Sequence, residues 1–404
     1  MNILILILGI LGLAASAMPI VLAYRFKKHI AADLRSPAAL HAPKASVIIP
    51  CKGLDPDFKT NITALFNQDY REFQLIFVTA EDNDPAYPEL RRLIQEHPNV
   101  SARLEVAGVA QGRSQKVNNQ LRGLEVVDPD SEILVFLDSD ARPETDFLQR
   151  IVQPLEEPGV GLSTGFRWYL PVKGGLWSYL RSAWNGGGVV FLTDPRANYA
   201  WGGAMAIRRS VFHECKIPEI WRTALSDDMT ITLAVREHGL KIRFVPHCLV
   251  AIHEDCNFSE MLEWTNRQTI ITRIYHPALW RTIALAHGMG NAILCLGAIL
   301  VLAFVLGFVR DPLILTGAIL MLAMAPMEMI GGYVLLPAVE RMLPQYGTRI
   351  RGMAWKYLLL APPASMLALA NTIHSLFTNR ITWRGVTYEM RSSTETIVVH
   401  HKKD

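Results

Sequence analysis

Residues Met1 to Tyr24 carry no charged side chain, and long apolar runs return near the other end of the chain. A helix of 24 residues is about 36 Å long, more than the roughly 30 Å hydrocarbon core of a bilayer. The segment therefore reads as a membrane-crossing helix over residues 1–24. Arg25, Lys27 and Lys28 follow directly, and the positive-inside bias then places the chain beyond residue 25 in the cytosol. A cleaved signal peptide is the competing reading, but it needs its basic residues ahead of the apolar stretch. Runs over residues 282–309 and 312–337, separated by Arg310 and Asp311, read as a helical hairpin. A third run, Tyr357 to Thr378, has basic residues on both sides and Pro362 and Pro363 near its start, so it spans, bends or re-enters. The expected C-terminal membrane region is 282–378, with a tail over 379–404.

Apolar ends leave a soluble middle to explain. The 404 residues are 50% hydrophobic and 19% charged, which fits a soluble part joined to membrane segments. A net charge of +3, with no strongly basic stretch interleaved with aromatics, excludes a nucleic-acid footprint. The five cysteines have no CxxC spacing and read as packing residues of a reducing compartment.

Between 44 and about 260 the pattern alternates. ASVIIP (45–50), FQLIFVT (73–79), ARLEVAGV (102–109) and EILVFLD (132–138) are compact apolar runs of the buried-strand type. Phe58, Ile62, Leu65 and Phe66 form one helical face after the first; Leu90, Leu93, Ile94 and His97 follow the second, and Val117, Leu121 and Leu124 the third. The order βαβαβαβ predicts an α/β fold with a mainly parallel, Rossmann-like sheet and helices on both faces. Ligands of such sheets bind beyond the C-terminal strand ends.

The fourth strand ends in LDSDARPETD, placing Asp138, Asp140 and Glu144 close together. Carboxylates there repel one another and lose hydration unless a cation or ligand compensates. Glu144 reads as part of a helix start, with Pro143 before it. Asp138 and Asp140, at D-x-D spacing, can grip one hard divalent ion, although a solvated turn would also hold them. Glu81 and Asp82 lie just past the second strand, on the same expected edge.

These residues resemble the membrane-bound GT-A glycosyltransferases of family 2 type, and among them the ceramide glucosyltransferase-like enzymes. The likeness runs from SVIIPCKGLDPDF (46–58) through EDNDPA (81–86), KVNNQL (116–121), DSD (138–140), GGAMAIRRSVF (202–212) and LSDDMT (225–230) to WTNRQ (264–268). It implies a GT-A domain over 44–275, in which Asp82, neighboured by Glu81, meets the uracil or ribose of a UDP-sugar. Pro50 belongs to the same donor site. Asp138 is implied near the ribose or sugar, and Asp140 on Mn2+ or Mg2+ bridging the diphosphate. In LSDDMTITLAVREHG, Ser226 can cap a helix that Gly239 ends. The resemblance makes Asp228 the general base, supported by Asp227.

WTNRQ departs from the family's Q/R-x-x-R-W: Arg267 is in place for the diphosphate, but Gln268 stands where the family has Trp. Trp264 either supplies the missing stacking or packs at the membrane surface. Lys116 can reach a phosphate or be a solvated helix-start lysine. His253, beside Glu254 and Asp255, is a satisfied histidine or a metal ligand. Gly186 to Gly188 resemble a flexible loop, Glu328 sits inside an apolar run, and TWRGVTY (382–388) has no evident chemical role.

The expected protein is a multi-pass membrane enzyme with a cytosolic catalytic domain, in a bacterial inner membrane or a Golgi-type membrane. It would move a hexose, glucose by preference, from UDP to a lipid hydroxyl with inversion. The alternatives are a processive polysaccharide synthase and a non-catalytic transporter or scaffold; UDP release on adding donor and lipid separates enzyme from scaffold.

Overall fold

A computed structural model of the chain describes residues 2–35 and 42–401. Met1, the first residue of the expected membrane helix, and residues 402–404, the end of the expected tail, lie outside the described residues. The central sheet has seven strands: β1 Ala45–Pro50, β2 Phe73–Thr79, β3 Ser101–Val106, β4 Ile133–Leu137, β5 Val160–Tyr169, β6 Ala204–Arg208 and β7 Lys241–Ile252. Their order is β3-β2-β1-β4-β6-β5-β7. Strands β1 to β4 are parallel, β5 and β7 are parallel, and only β6 runs against its neighbours. The four expected strands are thus present within a residue or two, apart from the end of the third. β1, β2 and β4 are buried almost along their length, because helices cover both faces and nearly every position is apolar; the buried Ser46 and Gln74 bond each other. β3, at the sheet edge, is largely exposed.

The helices are α1 Asn2–Ser16, α2 Met18–Asp33, α3 Phe58–Phe66, α4 Ala86–Glu96, α5 Gln115–Leu124, α6 Phe147–Val152, α7 Leu176–Val189, α8 Arg209–Glu214, α9 Ile217–Trp221 and α10 Asp227–Glu237. They continue with α11 Phe258–Tyr275, α12 Pro277–Val305, α13 Pro312–Leu322, α14 Met324–Met342 and α15 Gly347–Ser375. A separate antiparallel sheet of β8 Arg380–Trp383, β9 Val386–Ser392 and β10 Glu395–His401 closes the chain. By length and composition, four helical stretches among the described residues can cross a membrane: Asn2–Asp33, Pro277–Val305, Pro312–Met342 and Pro344–Ser375.

Two of these stretches are broken pairs that run side by side. α1 gives way to α2 at Ala17, just before Pro19, and α13 to α14 at Ala323, just before Pro326. Glycines set the approach: a Cβ on Gly9 would lie 2.5 Å from the Gly317 carbonyl oxygen, and one on Gly331 would lie 3.1 Å from Pro19. α15 continues through Pro362 and Pro363 without a break.

Three sequence expectations change. The apolar segment at the N-terminus extends past Tyr24 as α2, whose Phe26 and Ile30 are fully buried against the soluble core. Gly186 to Gly188 lie inside α7, not in a flexible loop. A Cβ on Gly186 would come within 2.9 Å of the Trp168 ring, so the glycine serves close packing. Finally, α15 starts ten residues before the expected third run.

Candidate active site

Because β1 and β4 are adjacent and parallel, their C-terminal ends open on one crevice, the point where the strand order reverses. β4 delivers Asp138, Ser139 and Asp140 there, and β1 delivers Pro50, Cys51 and Lys52. All of them line a cavity of about 1390 Å3.

Opposite them, α10 begins as its sequence requires. Ser226 Oγ accepts from Met229 N at 3.2 Å, capping the helix whose first turn holds both acids. The two carboxylates differ sharply. Asp227 is buried, its Oδ2 accepting from Gln120 Nε2 at 2.8 Å and pairing with Lys116 Nζ at 3.1 Å. Burial raises the Asp227 carboxyl above its ordinary range; Lys116 opposes this, while Asp228 and Asp138 add to it. Asp228 is only half-buried, with Oδ1 accepting from Met229 N at 2.8 Å and from Ser226 Oγ, and Oδ2 accepting from Gly202 N at 3.1 Å. It is oriented by three donors and faces the cavity. The glycines of GGAM are sterically required: a Cβ on Gly202 would lie 2.5 Å from Asp227 Oδ2.

Lys116 bridges the two groups of acids, also reaching Asp138 Oδ1 at 2.7 Å. Burial disfavours its charge, but Asp138, Asp227 and Asp228 outweigh that and hold its ammonium above the usual range. It is therefore a buried cation within the site, not a solvated helix-start lysine. Asp140 has an Oδ1 that is buried without a hydrogen-bond partner. Burial, with Asp138 and Asp55 nearby, pushes its carboxyl up to about 7 against the pull of Arg384.

Arg267, on α11, has burial lowering its guanidinium to about 10, still a cation at neutral pH. It lies over the Trp383 ring, 5.2 Å from the centroid. Trp383 comes from β8, so the tail sheet brings an aromatic ring to the arginine that Gln268 does not stack. Gln268 itself lines the cavity. Trp264 is buried against Tyr169 and Trp184, with Arg167 4.8 Å above its ring.

Other sequence candidates fall elsewhere. Glu81 and Asp82 are exposed on the turn after β2 and do not line the cavity. The acid that turns inward there is Asp84, accepting from Gly53 N at 2.9 Å and from Ala86 N at 2.8 Å. His253 meets the Tyr346 hydroxyl at 3.1 Å away from the cavity, whereas Glu254 stands on the cavity wall and pairs there with Arg181 at 2.8 Å. Glu144 accepts from Gln345 Nε2 at 2.6 Å, outside the cavity.

The sequence reading gave no role to Asp55, Trp383, Arg384 or Tyr388, all of which line the cavity. The Arg384 guanidinium donates to Asp55 Oδ1 at 2.6 Å and to the Lys52 carbonyl at 2.7 Å. Asp55 Oδ2 in turn accepts from Ser139 Oγ at 2.7 Å, tying the tail to the D-x-D loop. Tyr388 accepts from Gln115 N at 3.0 Å, at the start of α5. A glycine between two β-patterned stretches is a weak hairpin signal, but what the hairpin touches is not written in it.

With its acids gathered at the C-terminal edge of a sheet of this order, and membrane-type helices attached, the molecule is of the GT-A glycosyltransferase class. The sequence model of glycosyl transferase family 21 matches residues 6–396, and the chain belongs to that family. A stretch of 85 residues is 36% identical to ceramide glucosyltransferase of Gibberella zeae, covering 20% of this chain and 16% of that protein. Over 79 residues it is 35% identical to ceramide glucosyltransferase 1 of Caenorhabditis elegans, covering 20% and 17%. The matched stretches thus span about a sixth of the length of these relatives. Among solved structures, a mannosyltransferase of Pyrobaculum calidifontis in complex with GDP-Man and Mn2+ aligns with 17% identity and a TM-score of 0.46, over 92% of this chain and 99% of that one.

Proposed function

We propose that this glycosyltransferase moves a hexose, glucose by likeness to the named relatives, from UDP to the hydroxyl of a ceramide-type membrane lipid, with inversion. One observation carries this reading. The cavity that holds Asp138, Asp140 and Asp228 is also lined by Leu8 and Pro19 of the N-terminal helices, Ile283 and Gly290 of α12, Gly331 of α14 and Ala364 of α15. Charged and apolar walls in one space suit a water-soluble donor meeting a bilayer-borne acceptor. Its volume exceeds the roughly 300–1,000 Å3 of ordinary small-molecule sites, as two substrates require.

In this reading Asp228 accepts the proton of the lipid hydroxyl as that oxygen bonds to the anomeric carbon, while the sugar–phosphate bond breaks and UDP departs from the opposite face. Its fixed orientation and half-exposure favour it over Asp227, whose Oδ2 already meets Lys116 and Gln120. Arg267 and Lys116 add positive charge where the diphosphate gains negative charge.

Among the described residues no three His, Cys, Asp or Glu side chains form a ready-made metal cage. The unpartnered Asp140 Oδ1 nonetheless fits a divalent ion that draws its remaining ligands from a diphosphate and water. Asp140, assisted by Asp138, would hold Mn2+ or Mg2+, which supplies stabilisation of the leaving diphosphate's charge.

The test is direct. Purified full-length protein incubated with UDP-glucose or UDP-galactose, Mn2+ and total lipid extract should release UDP and yield a new hexosyl lipid by mass spectrometry, and EDTA should stop both. No hexosyl lipid with any UDP-sugar would remove the reading.

A further inference from the structure

The segment TWRGVTY forms the tip of the tail sheet. Trp383 pairs with Val386, leaving Arg384 and Gly385 as a two-residue turn with φ of 46° and 78°. Both residues are left-handed, as a type I′ hairpin requires, and such turns favour Asn-Gly or Gly-Gly at the tip. Here an arginine occupies a conformation that branched and long side chains rarely adopt, and strain of this kind collects at functional sites. The turn aims the guanidinium across the sheet edge onto Asp55. Its backbone is tied down as well, since the Lys52 ammonium donates to the Arg384 carbonyl.

The arginine's position is that of a counter-ion. Asp55 holds Ser139, which stands between Asp138 and Asp140, so one guanidinium serves the whole carboxylate loop. Its side chain is 40% exposed and lines the cavity, leaving donor capacity beyond the bonds to Asp55 and Lys52. Guanidinium groups present five donors and match phosphate oxygens in a forked geometry. The neighbouring Trp383 holds Arg267 by its ring, so the hairpin tip brings two guanidinium groups to one wall.

We propose that Arg384 is a donor-site residue with two linked tasks: it balances the Asp55–Asp138–Asp140 carboxylates when the site is empty, and it binds the diphosphate of the nucleotide when the donor arrives. This rests on the donor-site reading above. The linkage has an unusual sign. A fixed cation beside carboxylates opposes a bare divalent ion, yet it favours a dianionic diphosphate. Removing Arg384 should therefore tighten metal binding in the absence of nucleotide and weaken nucleotide binding in its presence. A purely structural arginine would leave both unchanged or weaken both.

The experiment uses the full chain in detergent micelles, as wild type, Arg384→Gln and Arg384→Lys. Mn2+ binding without nucleotide is read by electron paramagnetic resonance, and binding of UDP, GDP and inorganic diphosphate at saturating Mg2+ by calorimetry. Arg384→Gln is expected to bind Mn2+ several-fold more tightly and UDP at least about tenfold more weakly; Arg384→Lys, which keeps the charge without the fork, should fall between. Unchanged UDP affinity, or loss of both affinities in Arg384→Gln with Arg384→Lys normal in neither, overturns the proposal. Wild type that binds GDP or diphosphate but not UDP would discard the UDP reading while the Arg384 comparison still stands on those ligands.

Discussion

Asp227 and Asp228 are neighbours in sequence with different surroundings, and substitution should separate them. Asp228→Asn keeps an acceptor for Met229 N but removes the basicity, so lipid glycosylation should fall about 100- to 10,000-fold while UDP affinity stays within a fewfold of wild type. Calorimetry and a hexosyl-lipid assay on one preparation would check it; near-normal transfer would remove Asp228 as the base. Asp227→Ala should instead cost stability, about 1–3 kcal/mol for leaving the buried Gln120 amide unpaired, and it also takes one of two carboxylates from Lys116. A thermal melt distinguishes the two. At this scale the acids were legible because D-x-D and D-D at strand and helix ends are costly without a purpose. Arg384 was not, because its partner Asp55 is 329 positions away and nothing local to either residue encodes their meeting.

At the scale of elements, strands read well where both faces are buried, since an uninterrupted apolar run has few other uses. β1, β2 and β4 match their expected spans, whereas the exposed edge strand β3 ends earlier than its apolar run. Helix α7 is hidden from the sequence because three glycines in a row signal a turn locally, while the tertiary reason for them is the Trp168 ring beside Gly186 and the Tyr199 hydroxyl beside Gly188. The three positions should therefore respond differently to alanine. Gly187 has open space around it, and Gly187→Ala should stabilise the helix by about 1 kcal/mol. Gly186→Ala presses on a buried ring and should destabilise by about 1–3 kcal/mol. Matched thermal melts in one detergent would show a rise for the first and a fall for the second; equal shifts would overturn the packing role of Gly186.

For the whole molecule, the question is how many helices cross the membrane, and the contacts answer it by parity. Four full crossings would carry the tail to the side opposite the catalytic domain, yet Arg384 and Tyr388 are bonded to Asp55 and Gln115 of that domain. The expectation is therefore that one of the stretches after the domain does not cross, and that it is α15. Its start is fixed to the domain through the Arg349 bond to the Pro171 carbonyl, its middle through Tyr357 and Ser182 at 2.5 Å, and its end through Asn371 and Asn266 at 2.8 Å. Trp355, Leu359, Met366 and Ile373 are its exposed large apolar residues. Their spacing of four, seven and seven keeps them on one helical face, as suits a helix lying in the interface with its opposite side on the protein. The remaining helices then alternate consistently. Asn2, at the start of α1, bonds Asp311, just before α13, so both begin on the far side and run toward the domain, while α12 runs away from it. Three crossings would leave the catalytic domain and tail on one side, which the positive-inside expectation for Arg25, Lys27 and Lys28 takes to be the cytosol. In intact cells, a cysteine at Phe308, between α12 and α13, should react with an impermeant maleimide on a background with Cys295 removed. Cysteines at Thr60 and Thr394 should react only after permeabilisation. Labelling at Thr394 without permeabilisation would make α15 a true span, and the contacts between tail and donor site could not then exist in the membrane.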